Sequence, residues 1–374
     1  MSVADLALQR NKYKHLTDEE WRWFLQQVEG RERTAEKLPT FATIEDWWYP
    51  VRLSCEQCSS ELAARYKASL VSGETMVDLT GGYGVDTYFL SNSFSSIEYV
   101  EQNAELCRIA AHNFVHKPIA IHHTSAEEFL ASAGQYDLIF LDPARRDSHG
   151  GKVFRLEDCT PNVVDLLPTL LAHGKRVMIK LSPMLDLTQA VKELSVFSTQ
   201  WSVYVVAIKN EVKELLLLSG GTGRITAIDL AKKEQAFVFT KEEEQKAQSA
   251  IGHLSLEIGN YLYEPNAAIL KAGAYKLIAE RFGLHKLDIN THLYASDTLV
   301  PDFPGRVWHI KDEGMKGERM KGKQANVLCR NYPLTPEQLK KKLHLRDGGT
   351  AYVIGCRVAG KPTLFFAERM EDIH

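Results

Sequence analysis

The residues best suited to chemistry lie in one short stretch, Met76–Asp86 (MVDLTGGYGVD), which reads as strand, acid, glycine-rich turn and helix start. Asp78 closes the strand. Thr80, Gly81, Gly82 and Gly84 form the turn, and Asp86 opens the helix. Glycine lets a backbone approach a ligand with no Cβ in the way. A second acid, Glu101, closes the next apolar run seventeen residues after Gly84, with Gln102 beside it. A carboxylate at that strand tip can accept both hydroxyls of a ribose, and open α/β sheets bind ligands at the carboxyl ends of their strands. The chemistry implied is capture of a nucleoside-bearing cofactor. NAD would suit the same geometry, but the dinucleotide fingerprint G-x-G-x-x-G fails here, because its third glycine is Thr87.

A second constellation lies two apolar runs later, at Leu141–Arg146 (LDPARR). Asp142 and Pro143 directly follow that run's last apolar residue. Arg145 and Arg146 can stack on a base or clamp a phosphate. Lys180, Ser182 and Asp186 come after the next run at the same sheet end and are candidate substrate contacts. Tyr66 and Lys67, just before the first strand, are candidates to line a substrate mouth. Lys213 and Glu214 read as a structural ion pair. No metal site is expected: Cys55 and Cys58 form a lone C-x-x-C with no second pair, and His122 and His123 lack an acid at ligand spacing.

These residues need elements to hold them. Short apolar runs bounded by turn residues recur at 75–79, 96–100, 119–122, 136–141, 176–181, 203–208 and 214–218, with helical stretches between the first several. Such alternation predicts a doubly wound α/β sheet. The last two runs are joined only by Lys209–Lys213, so they are expected to pair antiparallel. Residues 1–74 read as a helical extension. It carries a capping box at Thr17–Glu20, an apolar series Leu53, Cys58, Leu62, Tyr66, Leu70, and an aromatic group Trp47–Tyr49 that is expected to be a packing plug. After the hinge Gly220–Gly223 come two short strands, a charged helix and a longer helix at 265–281. Residues 311–324 read as a linker, and the tail reads β-α-β-β, its helix capped by Thr335 and Pro336.

Asp78 to Gly84, the acid ending the second strand and Asp142-Pro143 ending the fourth resemble the class I S-adenosylmethionine-dependent methyltransferases. The resemblance implies a Rossmann-like seven-stranded core over 75–220. It places Asp78, Thr80, Gly81, Gly82, Gly84, Asp86 and Asp142 around the cofactor, Glu101 and Gln102 on its ribose, and Ser125 and Ala126 on the adenine side. Methyltransferases of nucleic-acid amines carry D/N-P-P-aromatic, where Ala144 and Arg145 stand here. The C5-uridine group needs a nucleophilic cysteine near Ser182, and none is present. The whole arrangement resembles a bacterial methyltransferase group with a THUMP-like C-terminal domain. Residues 221–310 would then be a small α+β, ferredoxin-like domain, and 311–374 the THUMP-like unit.

The chain has 374 residues and a net charge of only -3. Between Arg306 and Arg346, however, eleven Lys/Arg face four acids, leaving -10 for the remainder. That basic segment, with Trp308 and Tyr332 inside it, suits an RNA partner. The expectation is a cytoplasmic enzyme with no membrane partner, transferring a methyl group in line from S-adenosylmethionine to a base in structured RNA. Asp142, Pro143 and Arg145 would serve as catalytic residues. Two alternatives stand beside it: a methyltransferase of protein or small molecules, and a methyltransferase-like RNA-binding protein without catalysis.

Overall fold

The structure is a computed structural model that describes residues 3–145, 156–195, 200–231, 236–248, 259–313 and 322–370. It divides into two units, Met1–Val203 with Glu214–Thr222, and Tyr204–Lys213 with Gly223–His374. No helix among the described residues is long and apolar enough to cross a membrane.

The first unit is built on strands β1 (Gly73–Asp78), β2 (Phe94–Glu101), β3 (Ile119–His123), β4 (Tyr136–Leu141) and β5 (Gly174–Leu181), with residues 201–203 of β6 (Trp201–Ile208) and residues 214–219 of β7 (Glu211–Ser219). Their order in the sheet is β6–β7–β5–β4–β1–β2–β3. Pairs β1–β2, β2–β3, β1–β4 and β4–β5 are parallel, and β7 lies antiparallel to β5. The sheet reverses direction beside β1, where β4 rather than β2 continues the other way. A ligand crevice opens at the carboxyl ends at such a switch. Strands β6 and β7 meet at Lys209 and Asn210, both with positive φ (54° and 62°). That is a two-residue hairpin turn, so the connection is shorter than the sequence reading and only antiparallel strands can share it. The hairpin leaves the first unit at Val203 and returns at Glu214.

The helical extension forms as its caps dictate. Thr17 and Glu20 make the reciprocal capping box that starts helix Asp18–Thr34. The second apolar series does not make one face. The chain turns at Cys58–Ser60 between helices Arg52–Gln57 and Glu61–Ser69, which leaves Leu53 and Leu62 exposed. The face buried instead is Ala63, Ala64 and Lys67. The aromatic group is a packing plug as expected. Trp47 and Tyr49 are buried, Trp47 stacks 4.0 Å from Phe41, and its indole N–H donates to Tyr83 Oη at 2.8 Å. The plug therefore props the glycine turn from beneath.

In the second unit, strands β8 (Ile225–Asp229) and β9 (Phe237–Phe239) pair antiparallel. The larger sheet contains β10 (Tyr261–Pro265), β11 (His285–Asp288), β12 (Thr291–Ser296), β13 (Gly305–Glu313), β14 (Asn326–Arg330), β15 (Ala351–Val358) and β16 (Lys361–Arg369), in the order β11–β12–β10–β13–β16–β15–β14. The long helix expected at 265–281 is two, Ala267–Ala272 and Leu277–Phe282, because Gly273 takes φ +82° and ends the first. Part of the expected linker, residues 311–313, is strand instead. β13 runs through Glu313, and residues 314–321 lie outside the described residues.

Candidate active site

The glycine turn and its supporting acids come together as the sequence implied, but the glycines serve different ends. A Cβ on Gly81 would stand 2.2 Å from the Tyr99 ring, and one on Gly84 2.4 Å from Phe114. These two are glycines because rings from the sheet and helix press against the turn. Gly82 differs: φ is +57°, and a Cβ there would meet nothing nearer than Thr80 O at 3.7 Å. It is the position where the backbone faces open space, a cradle that a side chain would fill.

The loop is pinned from both sides. Glu101 accepts from Gly82 N and from Asn103 N, each at 2.8 Å, and Tyr99 Oη donates to Gly82 O at 2.5 Å. Each carboxylate oxygen of Glu101 keeps acceptor capacity for a ribose hydroxyl. Gln102 beside it is exposed. Asp78 is buried, accepting from Thr80 N at 3.0 Å and Thr87 Oγ1 at 2.6 Å. So Thr87, the residue that breaks the dinucleotide fingerprint, is the hydroxyl that holds Asp78. Thr80 Oγ1 in turn accepts from Asp142 N at 2.6 Å, which ties the end of β4 to the turn after β1.

Burial pushes the Asp78 carboxyl up to about 7, against the two hydrogen bonds that oppose it. The folded protein therefore binds a proton here that the unfolded chain has lost above about pH 4. Stability falls as pH rises through that window, and the penalty is complete above pH 7. Asp78→Asn removes this dependence. Its melting temperature relative to wild type is expected to improve steadily from pH 4 to pH 8, and parallel profiles would contradict the assignment.

The sequence reading underrated one part of the site. Lys67 is fully buried, 2.6 Å from both oxygens of Glu214 and 3.2 Å from Asp86 Oδ1. Ser59 Oγ donates to Asp86 Oδ2 at 2.7 Å. Lys180 Nζ lies 2.5 Å from Asp142 Oδ2 and 3.5 Å from Asp86 Oδ2. Burial disfavours the Lys180 charge, but Asp142, Asp86 and Glu214 outweigh it and hold its pKa above the ordinary lysine value. Asp86 is likewise disfavoured by burial, yet Lys67 and Lys180 bring its carboxyl below the usual range. Lys67 lines no mouth; it is interior. Glu214 does not pair with Lys213, which instead lies 2.7 Å from Glu211. Neighbours on a strand point to opposite faces, so the adjacent pair could not have met.

The remaining candidates take up varied positions. Pro143 is buried, and Ala144–Arg145 makes a two-residue strand against Cys159–Thr160. Arg146 lies outside the described residues. Ser182 Oγ accepts from Met184 N at 3.3 Å, and Asp186 caps helix Leu187–Leu194 through Gln189 N at 2.8 Å. Ser125 caps helix Ala126–Leu130 in a box with Glu128, so its hydroxyl is engaged in the cap, and Ala126 is buried. Among the described residues no group of His, Cys, Asp and Glu is arranged to hold a metal ion. His122 bonds Glu98, and Cys55 is buried, its thiol pushed up to about 12 by burial first and Cys58 next.

A parallel sheet reversed beside β1, closed by an antiparallel β7, with a glycine turn and an acid at the next strand tip, defines the class of S-adenosylmethionine-dependent methyltransferases. Residues 261–304 match the model of a ferredoxin-like domain, and 308–369 that of a THUMP domain-like family. A protein of Porphyromonas gingivalis W83, assigned as a methyltransferase and known from its crystal structure, matches with a TM-score of 0.84 and 32% identity. The match spans 95% of this chain and 92% of that one. Otherwise uncharacterized S-adenosylmethionine-dependent methyltransferases from two strains of Mycobacterium tuberculosis are 22% identical over 90% of this chain and 92% of theirs. The chain belongs to this family of S-adenosylmethionine-dependent methyltransferases with ferredoxin-like and THUMP-like domains at the C-terminus.

Proposed function

We propose that the protein transfers a methyl group in line from S-adenosylmethionine to RNA. Bound at the glycine turn, the cofactor supplies an electrophilic methyl on a sulfonium. Asp78, Thr80, Gly81, Gly82, Gly84 and Asp86 shape and support its seat. Glu101 and Gln102 take the ribose, and Ser125 and Ala126 bound the adenine side. Asp142 and Pro143, with Arg145, form the acceptor edge, and Arg146, Lys180, Ser182 and Asp186 surround the substrate. The open face of Gly82 carries the cofactor reading, because it is where a side chain would fill the space the ligand needs. Rate would come from positioning the acceptor against the methyl, as in other direct transfers.

Support for RNA is the set of exposed cations on the THUMP-like unit. Lys323, Lys341, Lys342 and Arg346 are exposed. Other members of the basic segment are neutralised by acids outside the segment. Arg330 and Arg306 meet Glu264 at 2.5 and 3.5 Å, Lys311 meets Glu368 at 3.0 Å, and Lys340 meets Asp347 at 2.7 Å. Trp308, expected to offer a ring to bases, is buried in the sheet's core. Binding should therefore be mainly to phosphates. A plot of log affinity for RNA against log salt is expected to have a slope of about -2 to -4. Changing Lys341 and Lys342 to glutamine should reduce the slope by about 2. A salt-independent affinity, or none, would point to a protein or small-molecule substrate instead.

A further inference from the structure

The buried charges form an alternating row from the interior to the acceptor edge: Glu214, Lys67, Asp86, Lys180, Asp142. Side-chain exposure is 3% at Glu214 and 0% at Lys67, and reaches 39% only at Asp142. Three carboxylates flank two ammoniums, and the ammonium nearest the open end, Lys180, touches the very carboxylate placed to meet the acceptor.

That arrangement discriminates between acceptors by the charge each develops. An amine attacking a sulfonium methyl becomes positively charged as the N–C bond forms, and a fixed ammonium beside it raises the barrier. A hydroxyl becomes negatively charged as its proton leaves, and the same ammonium lowers the barrier in a site shielded from water. A base amine would also need acceptors for both its hydrogens and a ring to stack on. Here Asp142 Oδ2 is already taken by Lys180, and position 144 is an exposed alanine. Within an RNA strand the free hydroxyl is the 2′-OH, since the 3′ and 5′ oxygens are esterified.

Resting on the RNA reading above, we propose that the acceptor is the ribose 2′-hydroxyl of an RNA nucleotide, seated on Asp142 and Lys180, with Lys67 and Glu214 as positioning residues behind them. The hydroxyl oxygen forms the bond to the methyl carbon. The carbon–sulfur bond breaks, and its electron pair stays on sulfur as a neutral thioether. The hydroxyl proton passes to the free oxygen of Asp142 and on to water. Lys180 keeps its proton throughout, holding the nascent oxyanion. Lys67 touches no substrate; it balances Glu214 and Asp86 so that Lys180 stays against Asp142.

The test uses the full-length protein, S-adenosylmethionine deuterated at the methyl group, and total RNA from a strain lacking the gene, digested to nucleosides for mass spectrometry. The expected result is label on the ribose fragment, at linkages that resist alkali because the 2′-oxygen is blocked. Label on a base overturns the hydroxyl assignment and leaves the RNA reading standing. Label on protein only, or none in RNA, overturns both. Lys180→Met is expected to lower transfer at least about a hundredfold while calorimetric affinity for S-adenosylmethionine stays within about threefold. Asp142→Asn, which keeps the shape and removes the proton acceptor, should do the same and serves if Lys180→Met does not fold. Either variant transferring within threefold of wild type would sink the assignment.

Discussion

Lys67→Met is expected to lower the free energy of unfolding by about 3–5 kcal/mol, the cost of stranding buried carboxylates without their counter-ion. The methionine fills the volume, so a cavity contributes little. What is lost is the ammonium 2.6 Å from both Glu214 oxygens and 3.2 Å from Asp86. The urea midpoint should fall with m unchanged, since the same surface is exposed on unfolding. The deficit should also depend on pH with a definite sign. Without Lys67, the Asp86 carboxyl loses one of the two ammoniums that hold it below the usual range, so the folded variant takes up a proton at higher pH than wild type does. Its deficit against wild type should narrow from pH 8 towards pH 5. Adding Glu214→Leu should restore much of the loss, because an apolar pair replaces a buried ion pair at little or no cost, and Asp86 keeps Ser59 and Lys180. A deficit below about 1 kcal/mol that ignores pH would show that Lys67 balances nothing.

The same residue shows where sequence reading stops. Strand periods, the glycine turn, Asp142 and Lys180 are local patterns, and all seven core strands lie where the apolar runs place them. The caps at Thr17 and Thr335 were equally legible, being three-residue chemistry. Lys67 and Glu214 are 147 residues apart. A lysine on a helix and a glutamate opening a strand look like solvated charges, because burial is decided by what the fold lays over them. One signal was available: Lys67 lies beyond Ala63 and Ala64 at helical spacing, while Leu62 and Leu53, the apparent apolar face, turn out to be exposed. Glu214 likewise heads ELLLLS, a run otherwise buried throughout. Trp308 failed in the opposite direction. Its basic neighbours suggested a surface ring, but strand alternation in β13 puts it inward, on the face it shares with Ile310.

The three glycines of the turn offer the sharpest separation of fold from function. Gly82→Arg is expected to abolish calorimetric binding of S-adenosylmethionine, a loss of more than about a hundredfold, while the protein stays folded. The new Cβ meets no atom closer than 3.7 Å, so no packing is violated, and the left-handed backbone costs an L residue about 1–2 kcal/mol. The side chain then occupies the space the cofactor needs and brings a guanidinium towards a sulfonium. Gly84→Ala is the converse. Its Cβ would stand 2.4 Å from Phe114 at φ +80°, so both the ring and the backbone must give way. About 2–4 kcal/mol of stability should go, from overpacking and strain together, with binding affected only as far as the turn is displaced. If Gly82→Arg binds the cofactor within tenfold of wild type, the ligand does not lie against this turn. The acids at the tips of β1 and β2 would then be structural, serving Thr80, Thr87, Gly82 and Asn103.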